Sequence, residues 1–161
     1  INNKPSAIRY PRDFAYEYNN NNNFQKIFIG KGKILKKGKR IAFLNLGTRL
    51  KKVLEINEMI KNHHKLNCTV VDMRFAKPID TKLIQNLNKT HDIFITIEEN
   101  AIGGFSSQVN DFLINKLNKT PKILNFFMKD EFIDQSDIDD QYNKSGISKE
   151  LIFDKVSMLL K

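Results

Sequence analysis

The stretch "IAFLNLGTRLKKVLEINEMIKNHHKLNCTVVDM", residues 41–73, sets the reading of everything around it. Residues 41–46 form an apolar run of the kind a buried strand needs. Gly47 and Thr48 follow as turn and helix cap. In residues 49–64, Leu50, Val53, Leu54, Ile56 and Ile60 recur near helical spacing. Residues 67–73, "NCTVVDM", are apolar and β-branched again. Strand, helix, strand with apolar strands at both ends predicts a parallel pair joined by a crossover helix.

The alternation continues outward. The sequence predicts a short helix over 80–90 capped by Asp80, a strand over 92–99, and a helix over 103–117 that begins in a glycine turn. A strand over 122–128 and a closing helix over 148–161 with Ser148 as cap complete the series. Upstream, Ile27, Phe28 and Ile29, then Ile34 and Leu35, read as short strands feeding the buried strand at 41–46. The lysines of "KGKILKKGKR" (31–40) coat sheet edges. The expected fold is α/β: three layers, a mostly parallel sheet with helices on both faces. Residues 1–24, with five consecutive asparagines at 19–23, read as a segment apart from a domain over 25–161. The start, Ile-Asn-Asn-Lys, carries neither Met nor a signal pattern, and is expected to continue a longer chain.

At 161 residues the chain supports one domain with a real core. No apolar run is long enough for a membrane helix. The single cysteine, Cys68, excludes an intramolecular disulfide, fits a reducing compartment, and reads as a small core residue. The formal charge of +9 ordinarily points to polyanions. Here the cations are 22 Lys against 5 Arg, alongside abundant Asn and Ile. Those are the residues of A/T-rich codons, so nucleic acid is not expected as a partner.

In open α/β sheets ligands gather at the carboxyl ends of strands. Three stretches fall there: "GTR" (47–49), "DMRFAKPID" (72–80) and "EENAIGGFSS" (98–107). Glu98 and Glu99 are neighbours, and paired carboxylates suit acid/base work. Successive strand residues face opposite ways, so these two are not expected to converge. One is expected to pair with a cation such as Arg74, the other to face solvent or a partner chain. "IGGFSS" is either a tight strand-to-helix turn, the reading preferred, or an anion site built from free N–H groups. His63, His64 and His91 have no metal-ligand spacing. No nucleophile elbow appears. The sheet is thus expected to hold no catalytic residue of its own.

Several pieces together carry a resemblance: "PSAIRYPR", "IGKGKILKKGKRIAFLNLGT", "NCTVVDMRFAKPIDTKLI", "HDIFITIEENAIGGFSSQVNDFL" and "FIDQSDIDDQYNKSGIS". In this order they resemble the C-terminal part of the 1-deoxy-D-xylulose-5-phosphate synthases, a family of transketolase-like thiamine-diphosphate enzymes. The resemblance covers nearly the whole chain. It implies a transferase that condenses pyruvate with glyceraldehyde 3-phosphate, releasing CO2, for isoprenoid, thiamine and pyridoxal synthesis. It implies thiamine diphosphate and Mg2+ held by domains upstream, a homodimer, and a cytosolic or plastid-type setting, with neither nucleic acid nor membrane as partner. These 161 residues alone are then expected to bind no cofactor, to be inactive, and to serve dimer and active-site architecture. Residues 1–24 become the tail of a preceding pyrimidine-binding domain plus a linker.

In that family an arginine of "RYPR" is expected to hold the substrate phosphate. Arg9 and Arg12, three apart in an extended segment, face opposite sides. Arg12 lies nearer the carboxyl end of its strand and is the first choice, with Arg9 second. Two departures stand out: Asp13 replaces the family's usual Gly, and "ENAIGG" is one residue shorter than the usual form. Two other readings remain at this level: the C-terminal domain of a 2-oxoacid dehydrogenase β subunit, and a non-catalytic basic binding module.

Overall fold

A computed structural model describes residues 5–8, 10 and 26–160. Five strands make one sheet in the order β1-β3-β2-β4-β5. They are β1 (Lys33–Lys36), β2 (Arg40–Asn45), β3 (Thr69–Asp72), β4 (His91–Ile97) and β5 (Lys122–Phe126). The helices are α1 (Leu50–His64), α2 (Thr81–Asn88), α3 (Phe105–Asn115), α4 (Ile138–Ser145) and α5 (Lys149–Met158). β2, β3, β4 and β5 pair in parallel, and β1 alone runs antiparallel, against β3.

The apolar runs form strands because both faces of the sheet are covered. Ile41, Phe43, Ile93, Ile95 and Ile97 point to one face, where α1 contributes Val53, Ile56 and Ile60 and α5 contributes Ile152 and Val156. Ala42, Leu44, Val71 and Phe94 point to the other, against Ile84 and Leu87 of α2 and Phe105, Val109 and Leu113 of α3. Each fully buried Phe or Ile contributes roughly 1.5–3 kcal/mol. Asn57 is buried among them, and its Oδ1 accepts the Cys68 N–H at 3.0 Å, fixing α1 to the start of β3. Cys68 is fully buried, as a core residue should be.

The amino-terminal strands differ from expectation. Residues 26–32 form no strand, and Ile27, Phe28 and Ile29 are exposed. β1 does not pair with β2 but lies against β3, with Lys33 opposite Asp72 and Ile34 opposite Val71. Lys33 and Lys36 face solvent on this edge strand, as edge protection requires. Apolar runs of two or three residues have too little length to choose between strand and loop, and here the edge of β3 accommodates the shorter of the two.

The topology fixes where a ligand would sit. α1 leads from β2 to β3 over one face, while α2 returns from β3 to β4 over the other. β2 and β4 are adjacent, and α1 and α3 leave their carboxyl ends on opposite faces. That divergence opens a crevice between the ends of β2 and β4, the usual ligand position of an open α/β sheet.

Candidate functional site: a crevice filled from within

Both sides of the crevice come from loops that continue the strands. The Leu46 N–H donates to the Ile97 carbonyl at 2.9 Å, one step beyond β2. Asn45 Nδ2 donates to the Gly47 carbonyl at 2.9 Å and shapes the turn. The helix that follows is not capped by Thr48. Arg49 holds the N-cap position without a side-chain capping bond, since a guanidinium has no acceptor, and the Thr48 hydroxyl donates across the crevice to Glu99. Asp80 does cap α2, accepting the Leu83 N–H at 3.1 Å.

Glu98 and Glu99 leave β4 in different directions, as strand alternation requires. Their partners differ from expectation, and neither is Arg74, whose Nε pairs with Asp72 at 3.4 Å. Glu98 is 1% exposed and turns back onto the amino end of α3. Its Oε2 accepts the Phe105 N–H at 2.8 Å and its Oε1 the Ser106 N–H at 2.7 Å. A carboxylate here satisfies two orphan donors and complements the helix dipole. Each charge-assisted bond is worth about 1.5–3 kcal/mol. Gly104 makes the approach possible, since a Cβ there would strike the Glu98 carboxylate. The glycine turn is therefore both a tight turn and an anion site, and its anion is the chain's own side chain.

Glu99 Oε1 accepts from two hydroxyls, those of Thr48 and Tyr142. Burial, then the Glu99 carboxylate, hold the Tyr142 hydroxyl above its ordinary pKa, so it stays protonated and donates. The Tyr142 ring lies under Arg49, with the guanidinium carbon 3.6 Å from the ring centroid. Arg49 is 4% exposed, and its Nη2 donates to the Ile147 carbonyl at 3.2 Å. Thr48, Arg49, Glu99 and Tyr142 thus tie the ends of β2 and β4 to α4.

Tyr142 belongs to a helix that the sequence reading left out. α4 carries few apolar residues, and its termini define it. Asp137 accepts the Asp140 N–H at 3.0 Å, and Asp139 and Asp140 lie in the first turn. Gly146, with φ of 79°, closes the other end, where the Ile147 N–H donates to the Tyr142 carbonyl at 3.1 Å. Ile147 is fully buried and anchors the turn. Asp137 and Gly146, spaced about two helical turns apart, are the local signal for α4. Nothing local connects Tyr142 with Glu99, 43 residues away.

The other candidates fall elsewhere. His91 is buried, with Nε2 2.8 Å from the Thr69 hydroxyl and Nδ1 3.0 Å from the Leu87 carbonyl. His63 and His64 lie in the last turn of α1. Among the described residues no three His, Cys, Asp or Glu side chains gather as a metal set requires. Arg9, Arg12 and Asp13 lie outside the described residues. A hollow of about 330 Å³ is lined by Ala101, Met128 and residues 129–133. Phe132 in its lining is fully exposed and Ile102 is largely so. No helix among the described residues is long and apolar enough to cross a membrane.

Residues 30–152 match the family described as Transketolase, C-terminal domain. The chain belongs to the transketolase C-terminal domain family. Curated relatives of this transketolase-type domain include the 1-deoxy-D-xylulose-5-phosphate synthase of Psychromonas ingrahamii, 40% identical over 156 residues, covering 93% of this chain and 24% of that protein. The synthase of Aliivibrio fischeri is 48% identical over 139 residues, covering 81% and 21%. That of Haemophilus influenzae is 39% identical over 153 residues, covering 95% and 23%. The chain spans about a quarter of the length of these curated relatives. Among solved structures, a split-gene transketolase in the form of an inactive beta4 tetramer superposes with a TM-score of 0.76 at 28% identity, covering 84% of this chain and 44% of that one. A transketolase of Campylobacter jejuni shares the fold, with a TM-score of 0.52 at 15% identity, covering 80% of this chain and 18% of that one.

Proposed function

We propose that this chain is the C-terminal part of a 1-deoxy-D-xylulose-5-phosphate synthase and that it contributes architecture rather than chemistry. The observation that carries the assignment is the 40% identity to such a synthase over 156 residues. The reaction joins the two-carbon unit of pyruvate to glyceraldehyde 3-phosphate, with the pyruvate carboxyl leaving as CO2. The crevice supports a non-catalytic role. Glu98 and Glu99, the carboxylates nearest the usual ligand position, are consumed by α3 N–H groups and by hydroxyls.

Thiamine diphosphate, implied by the family, supplies the carbanion chemistry when bound, and Mg2+ neutralises its diphosphate. The described residues do not fit it. The glycine turn at α3, where helix N–H groups would cradle a diphosphate, is already filled by the Glu98 carboxylate. The cofactor and its metal belong to upstream residues, and this chain alone neither binds them nor turns over. The split-gene transketolase, inactive as a beta4 tetramer, is a precedent for a separated half without activity.

In this reading residues 1–24 are the tail of the preceding domain with its linker, and residues 25–161 are the domain described above. Arg12, with Arg9 as the second choice, holds the phosphate of glyceraldehyde 3-phosphate. The exposed Ile102 and Phe132 face the rest of a homodimeric enzyme in the cytosol or a plastid-type compartment. Release of labelled CO2 from carboxyl-labelled pyruvate tests the assignment. It is expected from the full-length protein only when glyceraldehyde 3-phosphate, thiamine diphosphate and Mg2+ are all present. Turnover with another acceptor and none with glyceraldehyde 3-phosphate would overturn it.

A further inference from the structure

On the solvent side of Tyr142 a cleft of about 270 Å³ opens between α1, α4 and the amino end of α5. Its lining includes Arg49, Lys52, Asn143 and Ser148. Three features give it donors without acceptors. Arg49 is 96% buried by its 4% exposure, yet its Nε has no hydrogen-bond partner. None of the ion pairs among the described residues includes it. The Tyr142 ring offsets part of the cost of burying that charge, but a ring is not a counter-ion.

The second feature is α5 itself. Its N-cap, Ser148, makes no side-chain capping bond, so the first-turn N–H groups are left to whatever occupies the cleft. The third is Lys52, one turn along α1 from Arg49 and also outside every ion pair among the described residues. The cleft has acids as well. Glu150 is held by Lys149, at 3.7 Å, and Lys149 is held in turn by Glu55, at 3.3 Å. One lysine thus serves two carboxylates, and the lining itself sets Arg49, Lys52 and Lys149 against Asp139 and Glu150, with the helix amino end on the positive side. A guanidinium edge, an ammonium and a helix amino end suit a tetrahedral dianion. Asp139 and Asn143 suit hydroxyl groups next to it.

We propose that this cleft binds a small phosphate monoester carrying hydroxyl groups. The phosphate lies on Arg49, Lys52 and the first turn of α5, and the hydroxyls meet Asp139 and Asn143. This site rests on neither Arg9 nor Arg12, so its failure and the failure of the proposed function are distinguishable. Equilibrium dialysis of labelled inorganic phosphate and labelled glycerol 3-phosphate against the full-length protein, at fixed ionic strength, tests it. Wild type is compared with Lys52→Glu and Lys52→Arg, changes at a half-buried position outside the two core clusters. The cleft site is expected to weaken about tenfold or more in Lys52→Glu, while any phosphate bound at Arg12 is unaffected. It should stay within about twofold in Lys52→Arg, with glycerol 3-phosphate bound at least as tightly as phosphate. Identical binding curves for wild type and Lys52→Glu would overturn the site. Phosphate bound more tightly than its glycerol ester would overturn the ester assignment.

Discussion

The carboxylate of Glu98 accepts the backbone N–H of Phe105 at 2.8 Å, so the residue just past β4 caps the amino end of the very helix that its own loop leads into. With the Ser106 N–H also bound, the anion-binding end of α3 is spent on structure. Replacing Glu98 by Ala should lower the unfolding free energy by about 2–4 kcal/mol, since two charge-assisted bonds go and buried donors remain. Glu98→Gln should fall between, because an amide can face only one of the two N–H groups with its oxygen. Urea unfolding of the two variants measures this. A loss below about 0.5 kcal/mol for Glu98→Ala would deny the cap its role.

Tyr142 links α4 to Glu99, and its hydroxyl pKa is raised by burial and by that carboxylate. The unfolded state therefore releases this proton at lower pH than the folded state. The contribution of Tyr142 is complete below the ordinary tyrosine value near 10, and is lost as pH rises through the folded value. Tyr142→Phe keeps the ring under Arg49 and removes the hydroxyl. It should cost about 0.5–1.5 kcal/mol at neutral pH and flatten this part of the alkaline slope. Denaturation at several pH values between neutral and strongly alkaline checks both; an unchanged alkaline slope would contradict the shift.

Cys68 is fully buried, and burial pushes its thiol up to about 12. The thiolate that reacts with disulfide reagents is scarce at pH 8. The folded protein should leave Cys68 unlabelled by an aromatic disulfide reagent over many minutes, with rapid labelling after addition of denaturant. Comparing the two time courses by absorbance is sufficient, and equal rates would place Cys68 outside the core.

Much of this fold was legible because the apolar runs are long. Residues 41–46 and 92–97 bury side chains on alternating faces over a full strand, so their type and parallel pairing follow from pattern alone. Ile27, Phe28 and Ile29 misled because a three-residue apolar run carries no period, and their exposure shows that nothing covers them among the described residues. α4 was missed for the opposite reason. Its apolar content is low, and caps at Asp137 and Gly146 define it. In the crevice, alternation correctly separated Glu98 from Glu99. Their partners were out of reach, since Tyr142 stands 43 residues from Glu99 and is placed by packing with Ile147 and α5. Arg9 and Arg12 rest on the resemblance, as both lie outside the described residues.

Arg12 is the residue proposed to touch substrate. In the full-length enzyme, Arg12→Ala should raise KM for glyceraldehyde 3-phosphate by about tenfold or more, the loss of a charge-assisted phosphate contact. KM for pyruvate and the affinity for thiamine diphosphate should stay near wild type. Arg9→Ala should have the smaller effect. Steady-state kinetics with each substrate varied separately would reverse the order of the two arginines if Arg9→Ala proved the more damaging.

The central claim is that this domain brings architecture and its chemistry comes from upstream residues. The most direct measurement is product formation by the 161-residue chain alone and by the full-length protein. Both are supplied with pyruvate, glyceraldehyde 3-phosphate, thiamine diphosphate and Mg2+. The account predicts 1-deoxy-D-xylulose 5-phosphate and CO2 from the full-length protein and neither from the chain alone. Product from the chain alone would contradict it.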